Sequence, residues 1–388
     1  MRPENYQAIS QPPSNEYELN FGPNHPGIEG NYALKVKLHG DKVIEAKADG
    51  GYLHRGFEKL MEQRLWIQNI ALVPRICVPD PSPMEVCYSM AVEDLCGLEV
   101  PERAQWIRVM QLELSRIAAH LFTFGGHAAT TGMYSTMYWG VADRDLLLDL
   151  FEEFTGGRVY SIYNIPGGVR RELPTGFLKR LADTLDYIES RLPDYDNLFF
   201  TNQVFVQRAK GVGVMSQEQA LEWGVTGPNL RATGLAFDVR RDDPYLIYDQ
   251  IDFEIPTQDA GDAWARTLVR RAAPSCSRAS ASCARWLRRC LTSKGRSVRR
   301  FPIPWRGTCR RGRPTAGSNP PRVSSATSWS PMAALNPTGC MCVGHHPCMR
   351  CRCWKNSLWA RVSRTWHRPC SRWTPVHRRS TADVRHRL

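Results

Sequence analysis

Cysteine thiols are the side chains in this sequence with the plainest potential for redox or metal chemistry. Cys87 and Cys96 stand nine residues apart on a predicted helix, and isolated thiols of this kind are usually buried. Cys77 follows Arg75-Ile76 where a predicted helix enters a proline-rich loop. One cysteine cannot hold a metal centre, so we predict that residues 1–271 bind no metal.

The remaining ten cysteines stand after residue 271. Cys348, Cys351 and Cys353 follow His345-His346 in a pattern that is similar to a zinc site. A segment this rich in cysteine yields roughly one C-x-x-C pair by chance, so the pattern has little weight. Arginine pairs in the same segment could bind nucleic acid, but tyrosine and phenylalanine for base stacking are nearly absent there, and no recognition module surrounds the pairs. We predict no nucleic-acid partner.

Charge and composition divide the 388 residues into two unlike parts. The whole sequence has 51 Lys and Arg against 38 Asp and Glu, a net charge of +13. After Arg271 there are 22 Arg and 2 Lys but a single acid, Asp383, so this part has a net charge of +23 and the preceding part −10. The aliphatic residues that fill cores are scarce after Arg271. We expect residues 272–388 to be a disordered basic tail, encoded by a GC-rich gene segment translated out of frame.

The sequence lacks the signatures of several classes of protein. Neither G-x-G-x-x-G after a strand nor G-x-x-x-x-G-K-[ST] occurs, and Gly211-Val212-Gly213 is better explained as a strand bend, so we predict no nucleotide site. No run of eighteen apolar residues encodes a transmembrane helix, and the N-terminus lacks a signal segment. Three scattered cysteines in an acidic body favour a reducing cytoplasm.

Hydrophobic periodicity predicts the elements that must position any site in the first 271 residues. Alternation over residues 32–38, a Gly40-Asp41 turn and residues 43–46 predict a β-hairpin. Helical spacing predicts helices over residues 57–73 and 84–95, a long helix that begins after Pro101, and helices over 143–154 and 175–191. Short strands are expected near 211–215 and 245–255. The predicted fold class is α+β, a mostly helical bundle with small β appendages.

Ordered segments of this body resemble the 49-kDa-type subunit family of NADH:quinone oxidoreductase, respiratory complex I. They are FGPNHP at residues 21–26, GYLHRGFEK at 51–59, AVE at 91–93, ELSRIAAHL at 113–121, PGGV at 166–169, RAKGVG at 208–213, TGPNLRATG at 226–234 and DVRR at 238–241. The similarity runs from about residue 20 to LVR at 268–270 and then stops. The predicted organisation is an N-terminal extension over 1–19, a family-like body over 20–271 and the tail over 272–388.

The resemblance implies a fold like that of the nickel-iron hydrogenase large subunit, without its metal and here without its C-terminal part. It also implies a peripheral subunit on the cytoplasmic side of a bacterial cell membrane, within a proton-pumping NADH:quinone oxidoreductase. The implied partners are an iron–sulfur small subunit with the terminal [4Fe–4S] cluster, a 30-kDa-type subunit and membrane-arm subunits. NADH, FMN and iron–sulfur clusters would belong to the partners, with no cofactor on this chain and quinone as substrate.

Site residues follow from the same resemblance, with departures from the family pattern. The glycine-proline loop keeps His25, but its second histidine, a quinone hydrogen-bond donor, is replaced by Glu29. The tyrosine on the other side of the headgroup is replaced by Val78, and the aspartate that pairs with the loop histidine by Thr130. These four positions are the predicted quinone cavity, and no residue is predicted with certainty to be catalytic.

Two more positions are implied to lie near the partner's iron–sulfur cluster. Arg75 is retained from the family, whereas a histidine is replaced by Tyr160. Two interpretations of the departures are open: a reshaped site for the same quinone, or an acceptor other than ubiquinone. Val78 cannot donate a proton, and Glu29 does so only when protonated.

Other functional classes remain as alternatives. One is a subunit of a related hydrogenase-like membrane complex with a different electron donor or acceptor. A hydrogenase large subunit itself would need two C-x-x-C pairs, which residues 1–271 lack. Another is a truncated scaffold without redox function.

Overall fold

The computed structural model describes residues 16–25, 28–30, 32–40 and 42–275. The predicted tail from residue 276 onward, with its zinc-like pattern, and residues 1–15 lie outside the described residues. The last described helix runs Ala263–Ser275, so it extends past the predicted end of the body.

A three-stranded antiparallel sheet stands at the N-terminal end. β1 (Glu16–Phe21) pairs with β4 (Tyr32–His39), which pairs with β5 (Lys42–Gly50) through a turn at Gly40. The predicted hairpin is therefore confirmed, and a strand that begins within the predicted N-terminal extension joins it. β2 (Asn24–His25) and β3 (Ile28–Glu29) form a small hairpin between β1 and β4.

Four helices supply most of the hydrophobic core. They are α3 (Ser82–Cys96), α4 (Glu102–Thr130), α5 (Tyr134–Thr155) and α6 (Phe177–Tyr195). Helix α4 is central, because the successive residues Trp106, Ile107 and Arg108, which point to different sides of it, have no exposed surface. Helices α4 and α5 pack closely at Gly140, where an added Cβ would lie 2.8 Å from the Leu121 carbonyl oxygen. A larger residue at that position would force the two helices apart.

The remaining elements are short. α1 (Phe57–Gln63) and α2 (Trp66–Leu72) precede a 3₁₀ turn over Val73–Ile76, and β6 (Asn164–Ile165) pairs with β7 (Gly168–Val169). After a π-helical turn over Asp196–Phe200 come α7 (Gln203–Ala209), α8 (Gln217–Glu222), α9 (Gly227–Arg231), α10 (Val239–Asp242) and α11 (Ala263–Ser275). The expected single helix over residues 57–73 is divided because Arg64 adopts an extended conformation.

The prediction of two strands near residues 211–215 and 245–255 was wrong. Residues 211–215 form no strand, and Gly211 and Gly213 both have positive φ angles. Residues 245–255 contain a 3₁₀ turn over Tyr248–Gln250, and Ile247 and Phe253 are buried in the main core without pairing to a strand. Their alternation reflects tertiary packing rather than a sheet.

The predicted α+β class, mostly helical with small β appendages, is confirmed. Within residues 16–25, 28–30, 32–40 and 42–275, no helix combines the length and apolar character that crossing a bilayer requires.

Candidate functional site

Arg75 and Tyr160 are the two predicted site residues that the described contacts join. The 3₁₀ turn Val73–Ile76 presents Arg75 at the surface, and its guanidinium carbon lies 4.9 Å from the centre of the Tyr160 ring. An Arg75 Nη1–H group also donates to the Ala71 carbonyl. A cation above an aromatic face contributes roughly 0.5–1 kcal/mol at an exposed site. The contact therefore fixes a positive charge on this surface.

A buried carboxylate of α3, Glu85, holds the segment that follows Tyr160. Its oxygens accept hydrogen bonds from the Ser161 hydroxyl at 2.8 Å and from the backbone N–H groups of Ile162 at 2.7 Å, Tyr163 at 3.1 Å and Asn164 at 3.2 Å. Ile162 has a φ of 45°, which is unfavourable for a β-branched residue. Burial raises the pKa of Glu85. We call Glu85 and residues 161–164 the Glu85 clasp.

The next turn of this loop is fixed by a buried ion pair. Arg108 Nη2 donates to Glu93 Oε1 at 2.6 Å and to the carbonyls of Ile165 at 2.8 Å and Gly168 at 2.9 Å. Glu93 Oε1 accepts from the Gly167 N–H at 2.7 Å. The pair thus bonds to the backbone on both sides of the β6–β7 turn, and α3 and α4 together hold the whole loop that begins at Tyr160.

Residues 75–80, the segment that leads from Arg75 into α3, include both exposed and buried side chains. Val78 is 52% exposed, whereas Cys77 and Asp80 are buried. Asp80 Oδ1 accepts a hydrogen bond from the Ser115 hydroxyl of α4 at 2.5 Å. Burial raises the pKa of Asp80 to about 7. A buried, protonatable carboxyl group therefore lies two residues from the exposed Val78.

A second buried carboxyl group, Glu113 of α4, lies among arginines that hold its pKa low, unlike that of Asp80. It pairs with Arg116, and its Oε1 accepts from Arg240 Nη1 and from the Tyr248 hydroxyl, both at 2.9 Å. Burial alone would raise the pKa of Glu113, but Arg116 and Arg240 hold it at about 2. Arg240 also pairs with Asp238 at 2.8 Å. This Glu113 cluster connects α4 to residues 238–248 with charges that persist at neutral pH.

The remaining predicted cavity residues lie on other elements, outside residues 75–80. His25 and Glu29 belong to the β2–β3 hairpin, in which His25 is paired with Ile28 and Glu29 with Asn24. Thr130 is exposed in the last turn of α4, and its hydroxyl donates to the His127 carbonyl at 2.9 Å.

The three cysteines of the described region are wholly or partly buried. Cys77 and Cys87 are buried, Cys96 is half-buried, and none forms a disulfide within the described residues. Burial raises the pKa of the Cys87 thiol to about 12, so it is an inert thiol at neutral pH. Across the part of the chain that the structure describes, no three His, Cys, Asp or Glu side chains are grouped as metal ligands.

The buried polar residues Asp80, Glu85, Glu93 and Arg108 were not predicted from the sequence to have roles at the site. A signal was present, because Glu85 and Glu93 lie in a mostly apolar helix and Arg108 lies within the apolar stripe of α4. Charged residues at core positions are normally paired or hydrogen-bonded. Their partners, however, lie far along the chain. Asp80 bonds to a hydroxyl 35 positions away, and Glu85 and Arg108 bond to backbone groups about 60 to 80 positions away, which no local pattern indicates.

Comparison with known proteins decides the family. Residues 130–277 match the family model described as respiratory-chain NADH dehydrogenase, 49 Kd subunit. An NADH-quinone oxidoreductase subunit of Thermosipho melanesiensis is 54% identical over 255 residues, which are 66% of this chain and 70% of that protein. This chain belongs to the 49-kDa subunit family. It is therefore a subunit of an oxidoreductase complex of the complex I type.

Relatives within the 49-kDa subunit family differ in the reactions that their names state. A subunit of the F(420)H(2) dehydrogenase of Methanosarcina mazei is 40% identical over 257 residues, 66% of this chain and 69% of that protein. A chain in the solved structure of the membrane-bound sulfane sulfur reductase, an archaeal respiratory membrane complex, is 48% identical. The two structures superpose with a TM-score of 0.69 over 74% of this chain and 76% of that one.

Proposed function

We propose that this 49-kDa-type subunit forms the electron-acceptor site of its complex, with quinone as the acceptor and the terminal [4Fe–4S] cluster on a partner small subunit. NADH, through FMN and further clusters on other partners, would supply the electrons, and the complex would pump protons. A 30-kDa-type subunit and membrane-arm subunits would complete the assembly, on the cytoplasmic side of a bacterial membrane.

One observation supports the proposal most strongly: Arg75 lies over Tyr160 beside the exposed Val78. A reduced cluster or acceptor is more negative than its oxidised form, so a fixed guanidinium nearby stabilises the reduced state. The Glu85 clasp and the Glu93–Arg108 pair keep the Tyr160 loop rigid. Rigid support of this kind is what a group needs if it is to hold a charge at a defined place.

A second candidate function is reduction of an acceptor other than quinone, with sulfane sulfur as the specific choice. Val78 cannot donate a hydrogen bond. A quinone whose carbonyl oxygen lacks a hydrogen-bond donor binds about 1–3 kcal/mol more weakly. A chain of sulfur atoms has no carbonyl oxygen, so it does not need these hydrogen-bond donors. The similarity to a chain of the sulfane sulfur reductase favours this candidate.

The assembled complex, purified from its source, tests both candidates by its reduction rates with a short-chain ubiquinone and with polysulfide. Faster quinone reduction supports the first proposal, and polysulfide reduction without quinone reduction supports the second. The triple variant Glu29→His, Val78→Tyr, Thr130→Asp restores the family's histidine and tyrosine donors and the aspartate that pairs with the histidine. It is expected to raise the affinity for quinone about tenfold to a hundredfold. Absence of reduction with every acceptor would contradict both and favour a scaffold without redox function.

A further inference from the structure

Asp80 is a buried carboxyl group beside the proposed acceptor site with few hydrogen-bond donors. It has no exposed surface, and its Oδ1 atom accepts one hydrogen bond, from Ser115. Its Oδ2 atom is buried without a hydrogen-bond partner among the described residues. A carboxylate normally needs several donors when it leaves water, so this environment suits the neutral acid better than the anion.

The charged groups around Asp80 do not offset its burial. From α4, Ser115 and Arg116 favour the anion, but burial and, to a lesser extent, Glu113 disfavour it and outweigh them. Arg116 and Arg240 both bond to Glu113, so the positive charge of the cluster is directed towards that carboxylate. His120, also buried on α4, has a pKa well below its usual value because of burial and neighbouring arginines, and stays neutral.

The position of Asp80 connects it to the acceptor surface. Val78 is two residues away and 52% exposed, and two residues span at most about 7 Å. Arg75 lies at the other end of the same segment. A negative charge placed on this surface acts on Asp80 across a short, poorly screened distance and favours its neutral form.

We propose that Asp80 is a proton-binding residue of the acceptor site, which takes up a proton when negative charge arrives beside residues 75–80. The carboxylate and one proton from solvent become the carboxylic acid. No electron enters or leaves Asp80, because the electrons pass from the partner's cluster to the acceptor. The proposal rests on the proposed function for the source of that charge, and on this chain alone for the titration of Asp80.

The titration is tested on the full chain by infrared difference spectroscopy of the carboxyl C=O band across pH, with folding checked by circular dichroism. We expect a carboxyl band with a midpoint near pH 7 that is absent in Asp80→Asn and unchanged in the exposed control Asp145→Asn. Ser115→Ala removes a hydrogen bond that stabilises the anion, so it should raise the midpoint. This variant keeps the test decisive if Asp80→Asn fails to fold. A band that titrates below about pH 5, or one that Ser115→Ala leaves unmoved, overturns the proposal.

The coupling is tested in the assembled complex through the pH profile of acceptor reduction. For a pKa near 7 the protonated fraction falls about tenfold between pH 6 and pH 8, and the wild-type rate should follow it. Asp80→Asn, which resembles the neutral acid, should flatten the profile, whereas Asp145→Asn should not. An identical profile in Asp80→Asn refutes the coupling while the complex still reduces its acceptor. If the wild-type complex reduces no acceptor although Asp80 titrates in the full chain, the proposed function is refuted instead.

Discussion

Residues 75–80 and the Glu113 cluster each bury one carboxyl group, and the two groups behave in opposite ways. Asp80 and Glu113 both lie under the surface, and Ser115 and Arg116 are adjacent residues of α4. Glu113 faces two arginines and a tyrosine, which hold its pKa at about 2. Asp80 receives one hydroxyl, and burial raises its pKa to about 7.

Burial alone therefore does not determine the role of a carboxyl group. Hydrogen bonds and opposite charges directed at the anion make Glu113 a permanent ionic link between α4 and residues 238–248. The scarcity of such donors makes Asp80 responsive to nearby charge. Glu113 therefore contributes to stability and Asp80 responds to nearby charge, although both contact α4, so removing each carboxyl group should have different consequences.

The largest effect is expected from the Glu113 cluster. Glu113→Ala leaves Arg116 and Arg240 buried beside an empty position, which costs about 3–5 kcal/mol in the free energy of unfolding. Urea unfolding of the full chain measures the loss, with the partly exposed Glu153→Gln as control. A loss below about 1 kcal/mol would show that the cluster does not hold the fold together.

The next effect is a pH dependence of stability that comes from Asp80. Its folded pKa of about 7 exceeds the unfolded value of 3.8, so the protonated group stabilises the folded state. That contribution is complete below about pH 4 and is lost as the pH rises to about 7, up to about 4 kcal/mol by linkage. Asp80→Asn should remove this slope, as measured by urea midpoints at pH 4 to 8. Equal slopes in wild type and variant would contradict the difference drawn between the two carboxyl groups.

A smaller, local effect is expected from the Glu85 clasp. Glu85→Gln replaces an oxygen acceptor with a donor that faces backbone N–H groups, at a cost of about 1–3 kcal/mol. The amides of Tyr163 and Asn164 should exchange faster with deuterium, because both donate to Glu85. Glu189→Gln, at an exposed position of α6, is the matched control and should leave them protected. Unchanged exchange in Glu85→Gln would mean that other contacts hold the loop.

The smallest effect is expected at the surface. Arg158 bonds to Asp145, Asp149 and Glu152, but all four side chains are well exposed. Water and salt screen such pairs, so Arg158→Ala should leave the urea midpoint within the spread of repeats. A clear loss of stability here would weaken the argument that burial distinguishes the structural ion pairs.

The elements with a strong local period could be predicted from the sequence, and the elements without one could not. The β4–β5 hairpin and α4 follow from alternation and from a long apolar stripe. Residues 245–255 alternate as well, yet they pack into the core without a partner strand. Likewise, the sequence contains Glu85 and Asp80 a few residues apart, but only the fold shows that one meets four backbone or hydroxyl donors and the other meets one hydroxyl.

The proposed acceptor site requires that the surface of Arg75 and Tyr160 face the partner's iron–sulfur cluster. Its sharpest test is the reduction potential of the terminal cluster, by redox titration with electron paramagnetic resonance, in the assembled complex with Arg75→Ala. Arg180→Ala serves as the matched control, because it removes an exposed guanidinium that pairs with Glu153. Loss of a nearby positive charge should lower the potential of the terminal cluster and slow acceptor reduction in Arg75→Ala and not in Arg180→Ala. Equal potentials and equal rates in the two variants would contradict this placement of the cluster.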